Sequence, residues 1–290
     1  MYQVDYAIIM AAGTSSRFAP LSYEKPKGLI EVRGEILVER EIRQLKEAGI
    51  DDIILVTGYK KECYAYLEQK FHIRLIDNPS YAVRNNNASI YVVRELLRNS
   101  FICSSDNYFS VNPFENQAEG SYYAAVYADG PTDEWCMQQD SSGFITDVKI
   151  GGHDAYYMLG HAFWDERFSR KFREILEREY DRPETAGKLW EKIYMEHLGE
   201  FEMKVRPYPD DAIFEFDTLD ELRRFDRSYI DDTRSVILKK AAARIGCRER
   251  DITDIQARKA ADGNQAVGCI FSACGARYAY QYSTEELRRI

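Results

Sequence analysis

The sequence predicts an α/β fold with a mixed, mostly parallel central sheet covered by helices on both faces, followed by a small C-terminal α+β extension. Two observations predict it. In roughly the first hundred residues, short apolar runs alternate with segments whose apolar residues recur at helical spacing, as in parallel βαβ units. Further along, turn sequences separate apolar runs directly, which is typical of antiparallel hairpins. With 290 residues, 45% of them hydrophobic, the chain has material for one large domain or two smaller ones.

The first part of the chain supplies the predicted parallel strands and the helices between them. Each strand is a short apolar run, as expected for strands buried on both faces. Gly49 ends the first long helix, and Gly58 ends the second strand. The predicted strands cover residues 6–10, 52–56, 73–76 and 100–104, and the helices cover residues 37–48, 60–70 and 89–97.

The middle part of the chain contains the predicted antiparallel strands and further helices. A turn at residues 140–143 joins strands over 135–139 and 144–150 into a hairpin. Thr218 and Glu221 form a capping box, which begins a helix that runs to about Asp226 and ends a first domain of residues 1–228. Other strands are predicted over 156–163, 201–205 and 212–216, and other helices over 165–179 and 185–198.

Residues 229–290 form the predicted extension. Its helix covers residues 235–245 and ends at Gly246, and strands over 267–273 and 277–282 flank a turn at Gly275. About sixty residues is small for an independent domain. We therefore expect the extension to dock on the main body or to join two copies of the chain into a homodimer.

Charge and cysteine content exclude several classes of protein. Lys and Arg number 39 against 48 for Asp and Glu, a net charge of −9 that disfavours nucleic acid as a partner. The apolar run over residues 7–12 is too short for a signal peptide or a membrane span. The six cysteines form no C-x-x-C pair, which disfavours both a metal site with cysteine ligands and a disulfide framework. We expect a cytoplasmic protein.

A loop of small residues follows the first strand and predicts a phosphate site. Small side chains let backbone N–H groups approach an anion, and Arg17 and Lys27 then neutralise a triphosphate as the catalytic cations. The loop is neither a Walker loop nor a complete G-x-G-x-x-G motif, which disfavours P-loop hydrolysis and nicotinamide binding. The predicted nucleotide-binding residues of this loop are Ala11, Ala12, Gly13, Thr14, Ser15 and Ser16.

This loop resembles the signature loop of nucleotidyltransferases that join an NTP to a phosphorylated small molecule. Residues 47–59, 81–89, 134–135 and 214–217 further resemble the bacterial CTP:phosphocholine cytidylyltransferases, a resemblance that spans roughly residues 5–228. It implies a Rossmann-like nucleotidyltransferase fold and the conversion of CTP and phosphocholine into CDP-choline and pyrophosphate. It also implies contacts from Asn87 and Ser89 to the cytosine or the ribose.

Three carboxylates are the predicted magnesium ligands. Asp106 follows a predicted strand, at the sheet edge where α/β proteins bind ligands. Glu215 and Asp217 lie two apart on another predicted strand, so their side chains point to the same face. Transfer at the α-phosphorus requires charge neutralisation, usually by Mg²⁺ held through carboxylates and phosphate oxygens. The family resemblance assigns metal roles to the same three residues.

The choline end of the implied substrate is a quaternary ammonium, which donates no hydrogen bonds. Its recognition requires aromatic faces and a carboxylate. The candidates are Trp135, Tyr157, Trp190 and Glu191. Adjacent residues on a helix point about 100° apart, so we expect only one of Trp190 and Glu191 to face the substrate. Core packing is the alternative role for Tyr157 and Trp190.

The extension itself resembles the opening hairpin of choline kinases. The likeness rests on residues 251–255, Gly263 and Asn264, and on Phe271 with residues 275–278. Gly263 stands where a threonine is expected, and the chain has no room for a kinase body, so kinase activity is excluded. A remnant hairpin used for packing or for dimer contact is the remaining interpretation.

Two alternatives to a cytidylyltransferase remain. A sugar-1-phosphate nucleotidyltransferase would use the same loop and acids, but residues 148–151 lack the Glu-Lys-Pro expected after the turn at Gly143. A nucleotide sensor without turnover would keep the fold, but the presence of both cations and all three acids disfavours it. Release of pyrophosphate with different acceptors separates these functions.

Overall fold

The computed structural model describes residues 1–260 and 266–290, which form two compact units. The first unit contains residues 1–13 and 38–215, and the second contains residues 14–37 and 216–290. Gly263 and Asn264, part of the predicted kinase likeness, lie outside the described residues. In chain order the helices are α1 (Leu21–Glu24), α2 (Leu37–Glu47), α3 (Tyr66–Phe71), α4 (Asn87–Val92), α5 (Glu166–Glu179), α6 (Trp190–Glu196), α7 (Leu219–Phe225) and α8 (Val236–Ile245).

The strands fall into one large sheet and several small ones. In chain order they are β1 (Tyr2–Gln3), β2 (Tyr6–Ala11), β3 (Glu31–Val32), β4 (Glu35–Ile36), β5 (Ile53–Thr57), β6 (Arg74–Asp77), β7 (Ser100–Ser104), β8 (Asn107–Phe109), β9 (Gln117–Ala118), β10 (Tyr122–Gln139), β11 (Ile145–Trp164), β12 (Lys204–Tyr208), β13 (Ile213–Glu215), β14 (Ile252–Lys259), β15 (Ala266–Ala273), β16 (Ala276–Gln281) and β17 (Glu286–Arg289).

The first unit is built on a seven-stranded sheet in the order β12-β10-β11-β7-β2-β5-β6. Strand β2 is parallel to both of its neighbours, and β5–β6 and β10–β12 are also parallel pairs. Only β11 runs antiparallel to both of its neighbours in this sheet. The predicted mixed, mostly parallel sheet is confirmed.

Both faces of this sheet are covered. Ile8 and Ile9 are successive residues of β2, so their side chains point to opposite faces, and both are fully buried. Ile8 packs in a core cluster with Ile90 of α4, Phe172 of α5 and Ile193 of α6. This two-sided burial explains why the strands read as continuous apolar runs rather than as alternating ones.

The hairpin in the middle of the chain is longer than predicted. Strands β10 and β11 contain 18 and 20 residues, so the three predicted strands around the turn are parts of two long ones. The predicted turn is present: the Gly143 N–H donates to the Asp140 carbonyl, and Gly143 has a φ of 84°. Cys136 is in register with both Lys149 and Tyr157, which shows that the hairpin bends.

Two predicted elements end differently in the structure. Strand β13 ends at Glu215, because Thr218 caps α7 in the predicted capping box with Glu221. The prediction that Glu215 and Asp217 share a strand is therefore wrong. The long helix predicted over residues 185–198 contains only the seven residues of α6, flanked by short 3-10 turns.

The second unit contains the predicted α+β extension. Helix α8 is capped by Ser235 and ends at Gly246, whose φ is 80°. The predicted hairpin is confirmed as β15 and β16, to which β14 and β17 add outer antiparallel strands. The homodimer contact and the kinase likeness of this region stay predictions.

Helix α7 belongs to the same compact unit as the extension, so this division differs from the predicted domain boundary at residue 228, which stays a prediction. The guanidinium of Arg223 on α7 donates to the carbonyl oxygens of Tyr229, Glu249 and Ile252, at 3.2, 2.9 and 2.6 Å. Residues 14–37 also belong to the second unit. Among the described residues, no helix combines the length and the apolar character that a membrane span requires.

Candidate active site

The predicted catalytic cations lie in a loop of the second unit. Ser15 has a left-handed backbone with a φ of 45°, and its carbonyl accepts the Phe18 N–H at 2.9 Å. This turn begins a short 3-10 helix, Ser16–Phe18, that presents the largely exposed side chain of Arg17. Lys27 begins a second 3-10 helix, Lys27–Leu29, and its side chain is only 5% exposed.

Asp217 brings the two cations together. Its carboxylate lies 2.5 Å from the Arg17 guanidinium and 3.8 Å from the Lys27 ammonium. The ammonium also lies 5.8 Å from the ring centroid of Phe18. A buried ammonium is costly without an anionic partner, so this carboxylate is part of what holds Lys27 in place.

The remaining small residues of the predicted phosphate loop are Ala11, Ala12 and Gly13, which belong to the first unit. The Ala12 carbonyl accepts the Tyr59 N–H at 3.0 Å. Gly58 is required here, since a Cβ on it would lie 2.9 Å from the Cβ atoms of Ala12 and Tyr81. A Cβ on Gly13 would meet no described atom of its own unit within 4 Å, so the backbone at Gly13 is open on that side.

Asp106 and Glu215 are brought to neighbouring positions in the first unit. Asp106 lies in the turn between β7 and β8, and the Ser105 N–H of this turn donates to the Met10 carbonyl at 3.2 Å. Strand β13 pairs with β8 so that Glu215 stands opposite Asn107. Within residues 1–260 and 266–290, no group of three His, Cys, Asp or Glu side chains is arranged to hold a metal ion. The metal role of the three acids stays a prediction.

Asn87 and Ser89, the expected nucleotide contacts, are buried inside the first unit. The Asn87 amide donates to the carbonyls of Thr185 and Lys188, at 3.0 and 2.5 Å, and the residue has no exposed surface. The Ser89 hydroxyl accepts from the Asn78 amide at 3.2 Å and is 3% exposed. Both side chains make these contacts within the first unit, and the expected contact with cytosine or ribose stays a prediction.

Asn86, which the sequence reasoning missed, positions Glu191. Its Oδ1 accepts the Trp190 N–H at 2.7 Å, and its Nδ2 donates to the Glu191 carboxylate at 3.2 Å. The Tyr123 hydroxyl donates to the same carboxylate at 3.3 Å. Burial raises the pKa of Glu191 to about 7, although these hydrogen bonds act in the opposite direction.

Trp190 has a packing role. Its side chain is 1% exposed, and its ring stacks on Tyr123 with centroids 5.6 Å apart and meets Trp164 edge-on at 4.9 Å. This packing fits the alternative role expected for Trp190, and its role as a substrate wall stays a prediction. Its neighbour Glu191 is half-buried.

Trp135 and Tyr157 are half-buried aromatic residues of the β10–β11 hairpin. In the antiparallel pairing, Trp135 is in register with Ile150, and Cys136, which follows it, is in register with Tyr157. Burial raises the pKa of Tyr157, and the negative charges of Glu134 and Asp210 add to the increase. The missed carboxylate here is Glu134; its position beside Trp135 was the signal available in the sequence.

Comparison with known proteins decides the family. The MobA-like NTP transferase domain family matches residues 7–131. The choline-phosphate cytidylyltransferase of Streptococcus pneumoniae is 33% identical over 220 residues, which cover 76% of this chain and 96% of that relative. This chain belongs to the choline-phosphate cytidylyltransferase family.

Two further comparisons place the chain within the cytidylyltransferases. A solved structure of the CTP:phosphocholine cytidylyltransferase from Streptococcus pneumoniae matches with a TM-score of 0.75 and 32% identity, covering 78% of this chain and 99% of that one. It confirms the predicted nucleotidyltransferase fold. The 2-aminoethylphosphonate cytidylyltransferase of Lancefieldella rimae is 33% identical over 228 residues, covering 77% of this chain and 93% of that relative.

Proposed function

We propose that this cytidylyltransferase joins CTP and phosphocholine to give CDP-choline and pyrophosphate. The observation that carries the proposal is the convergence of Arg17 and Lys27 on Asp217 within the signature loop. Two cations held by one carboxylate form a preorganised positive site, which suits the polyphosphate of a nucleotide. The backbone N–H groups of residues 11–16 bind the same phosphates.

The reaction requires neither a covalent nucleophile nor a general base. An oxygen of the phosphocholine phosphate, already an anion, forms a bond to the α-phosphorus of CTP. The bond from that phosphorus to the bridging oxygen breaks, and pyrophosphate leaves with the electron pair. Arg17 and Lys27 lower the barrier by holding the triphosphate and by offsetting the charge that moves onto the leaving group.

Asp106, Glu215 and Asp217 are the residues that would hold Mg²⁺. Their carboxylate oxygens are the donors that Mg²⁺ prefers, and it commonly takes one or two protein carboxylates and completes its shell with water and substrate phosphates. A preformed cage of three acids is therefore not required. When bound, the ion supplies charge neutralisation on the triphosphate.

The acceptor is recognised through its trimethylammonium group. Trp135 and Tyr157 offer aromatic faces that remain half-exposed, and Glu134 lies beside them. Such faces attract a cation that cannot donate hydrogen bonds. Glu191 supplies a second carboxylate in its ionised form.

A cytoplasmic location fits the redox state of the chain. All six cysteines are free thiols, as expected in a reducing compartment.

A second acceptor, 2-aminoethylphosphonate, deserves a direct test because the relative named for it is as similar as the choline-phosphate enzyme. Its primary ammonium donates hydrogen bonds, so it favours carboxylates over aromatic faces. We expect pyrophosphate release from CTP to be most efficient with phosphocholine, weaker with phosphoethanolamine and 2-aminoethylphosphonate, and absent with glucose-1-phosphate. A higher kcat/KM for 2-aminoethylphosphonate than for phosphocholine would show that phosphocholine is not the preferred acceptor.

A further inference from the structure

Glu24, in the segment between Arg17 and Lys27, caps a helix of the C-terminal extension. Its Oε1 accepts from the Ser235 hydroxyl and from the Ile237 N–H, both at 2.8 Å, and its Oε2 accepts from the Val236 N–H at 3.0 Å. These donors form the N-terminus of the ten-residue α8. The N–H groups at a helix start have no partner within the helix and carry partial positive charge, which favours a carboxylate.

Two other residues of the stretch 14–37, Tyr23 and Glu31, also contact the extension. The ring of Tyr23 stacks on Tyr282 with centroids 4.1 Å apart and an angle of 27° between the planes. The backbone carbonyl of Glu31 accepts the Tyr229 hydroxyl at 2.5 Å, and its carboxylate lies 3.1 Å from the Arg234 guanidinium. Residues 23, 24 and 31 therefore all make non-covalent contacts with residues 229–290.

We propose that the extension is a brace for the segment that carries the nucleotide-binding cations, and that Glu24 is a positioning residue. Arg17 and Lys27 lie on either side of Glu24 in the chain and converge on Asp217 in the same unit. Small displacements of positioned charges have large kinetic costs. The link to catalysis rests on the function proposed above, in which these cations bind the triphosphate.

Two independent variants remove the brace at different contacts. Glu24→Ala removes the carboxylate that binds the start of α8 and leaves Ser235 as its N-cap, and Tyr282→Ala removes the ring that stacks on Tyr23. Tyr282→Phe keeps the stacked ring and serves as the matched control for the second variant. Glu68→Gln, which changes an exposed glutamate on α3, is the control for the loss of one negative charge.

The readouts are backbone hydrogen exchange over residues 14–30 and the dissociation constant of CTP measured without acceptor. We expect exchange in this segment to accelerate about tenfold or more in both alanine variants, since local opening becomes easier. We expect their Kd for CTP to rise about tenfold, with the KM for phosphocholine unchanged. Both control variants should behave as the wild type.

The brace is overturned if exchange over residues 14–30 stays at the wild-type rate in both alanine variants. It is also overturned if both lower the melting temperature while folded protein binds CTP normally, because the extension would then only stabilise the chain. Should Glu24→Ala fail to fold, the pair at Tyr282 decides the question. If the wild type releases no pyrophosphate with any acceptor, the proposed function fails, and hydrogen exchange still tests the brace.

Discussion

At the scale of single residues, Asp217 is the shared partner of the two cations that we propose bind the triphosphate. Lys27 is almost entirely buried, whereas Arg17 is 73% exposed, so the carboxylate joins a buried charge to an exposed one. The buried charge depends on the acid because a buried ammonium requires a partner. For the exposed Arg17, the same contact orients the guanidinium but adds little to the stability of the fold.

Asp217→Asn should therefore reduce kcat by about 100-fold or more while the protein remains folded. The side chain keeps its size but loses the charge that holds the cations and would bind the metal. Asp231→Asn is the matched control, since it removes only an exposed ion pair with Arg250. Circular dichroism checks the fold, and normal turnover in Asp217→Asn would remove this residue from the site.

Trp135→Ala should weaken phosphocholine far more than CTP. Loss of a desolvated cation–π contact costs about 1–2 kcal/mol, which corresponds to an increase in the KM for phosphocholine of about 5- to 30-fold. Tyr127→Ala, at an exposed aromatic residue of the same strand, is the control. Equal increases in both KM values would give Trp135 a purely structural role.

Glu191 should make acceptor binding depend on pH. Because burial raises its pKa to about 7, the carboxyl is neutral below this pH and attracts the trimethylammonium only above it. The KM for phosphocholine should fall as the pH rises through 7 in the wild type and stay flat in Glu191→Gln. A pH profile of the variant that matches the wild type would assign the titration to another group.

The raised pKa of Glu191 also makes the free energy of unfolding depend on pH. The folded state holds the Glu191 proton more tightly than the unfolded state, whose carboxyl titrates near 4.5. The free energy of unfolding of the wild type, relative to Glu191→Gln, should therefore fall as the pH rises from about 4.5 to 7 and then stay constant. Urea unfolding at pH 5 and pH 8 measures this difference.

At the scale of secondary-structure elements, the capping box of α7 fixes the backbone next to the site. The Glu221 carboxylate accepts the N–H groups of Asp217 and Thr218, at 2.7 and 3.2 Å. A residue of the helix cap thus determines where the Asp217 backbone lies. We therefore expect α7 to affect the proposed site through the position of Asp217.

Glu221→Ala should cost about 1 kcal/mol in the free energy of unfolding, as for other lost caps. It should also reduce kcat/KM for CTP by about tenfold, because Asp217 is then less well placed. Urea denaturation and steady-state kinetics measure the two effects. A loss of stability with unchanged kinetics would separate the cap from the site.

Elements with local signals could be predicted from the sequence. The capping box of Thr218 and Glu221, the turn at Gly143 and the end of α8 at Gly246 all depend on residues within a few positions. The lengths of β10 and β11 could not be predicted, because long-range pairing extends them beyond their apolar runs. The end of β13 was misjudged because the helix cap competes for the same backbone.

The association of the two cations of the candidate site could be predicted from the sequence, whereas the contacts of its polar and aromatic residues could not. Arg17 and Lys27 stand in a motif, and the motif was enough to associate them. The hydrogen bond from Asn87 to Thr185 and the one from Asn86 to Glu191 join residues about a hundred positions apart. Local sequence contains no signal for such contacts.

At the scale of the whole molecule, an acidic chain concentrates its functional cations in one small segment. The net charge is −9, yet Arg17 and Lys27 lie within eleven successive residues, 17–27. That segment belongs to the same compact unit as residues 216–290. The proposed binding of a triphosphate thus depends on a local concentration of positive charge that the overall charge does not reveal.

The most direct test of the central claim is identification of the product formed from CTP and phosphocholine by the purified chain. Mass spectrometry, run beside a pyrophosphate assay with all four nucleoside triphosphates, gives both products at once. We predict CDP-choline and pyrophosphate in equal amounts, with CTP the best nucleotide. Binding of CTP without either product, for every phosphorylated acceptor tried, would contradict the account and leave a nucleotide sensor.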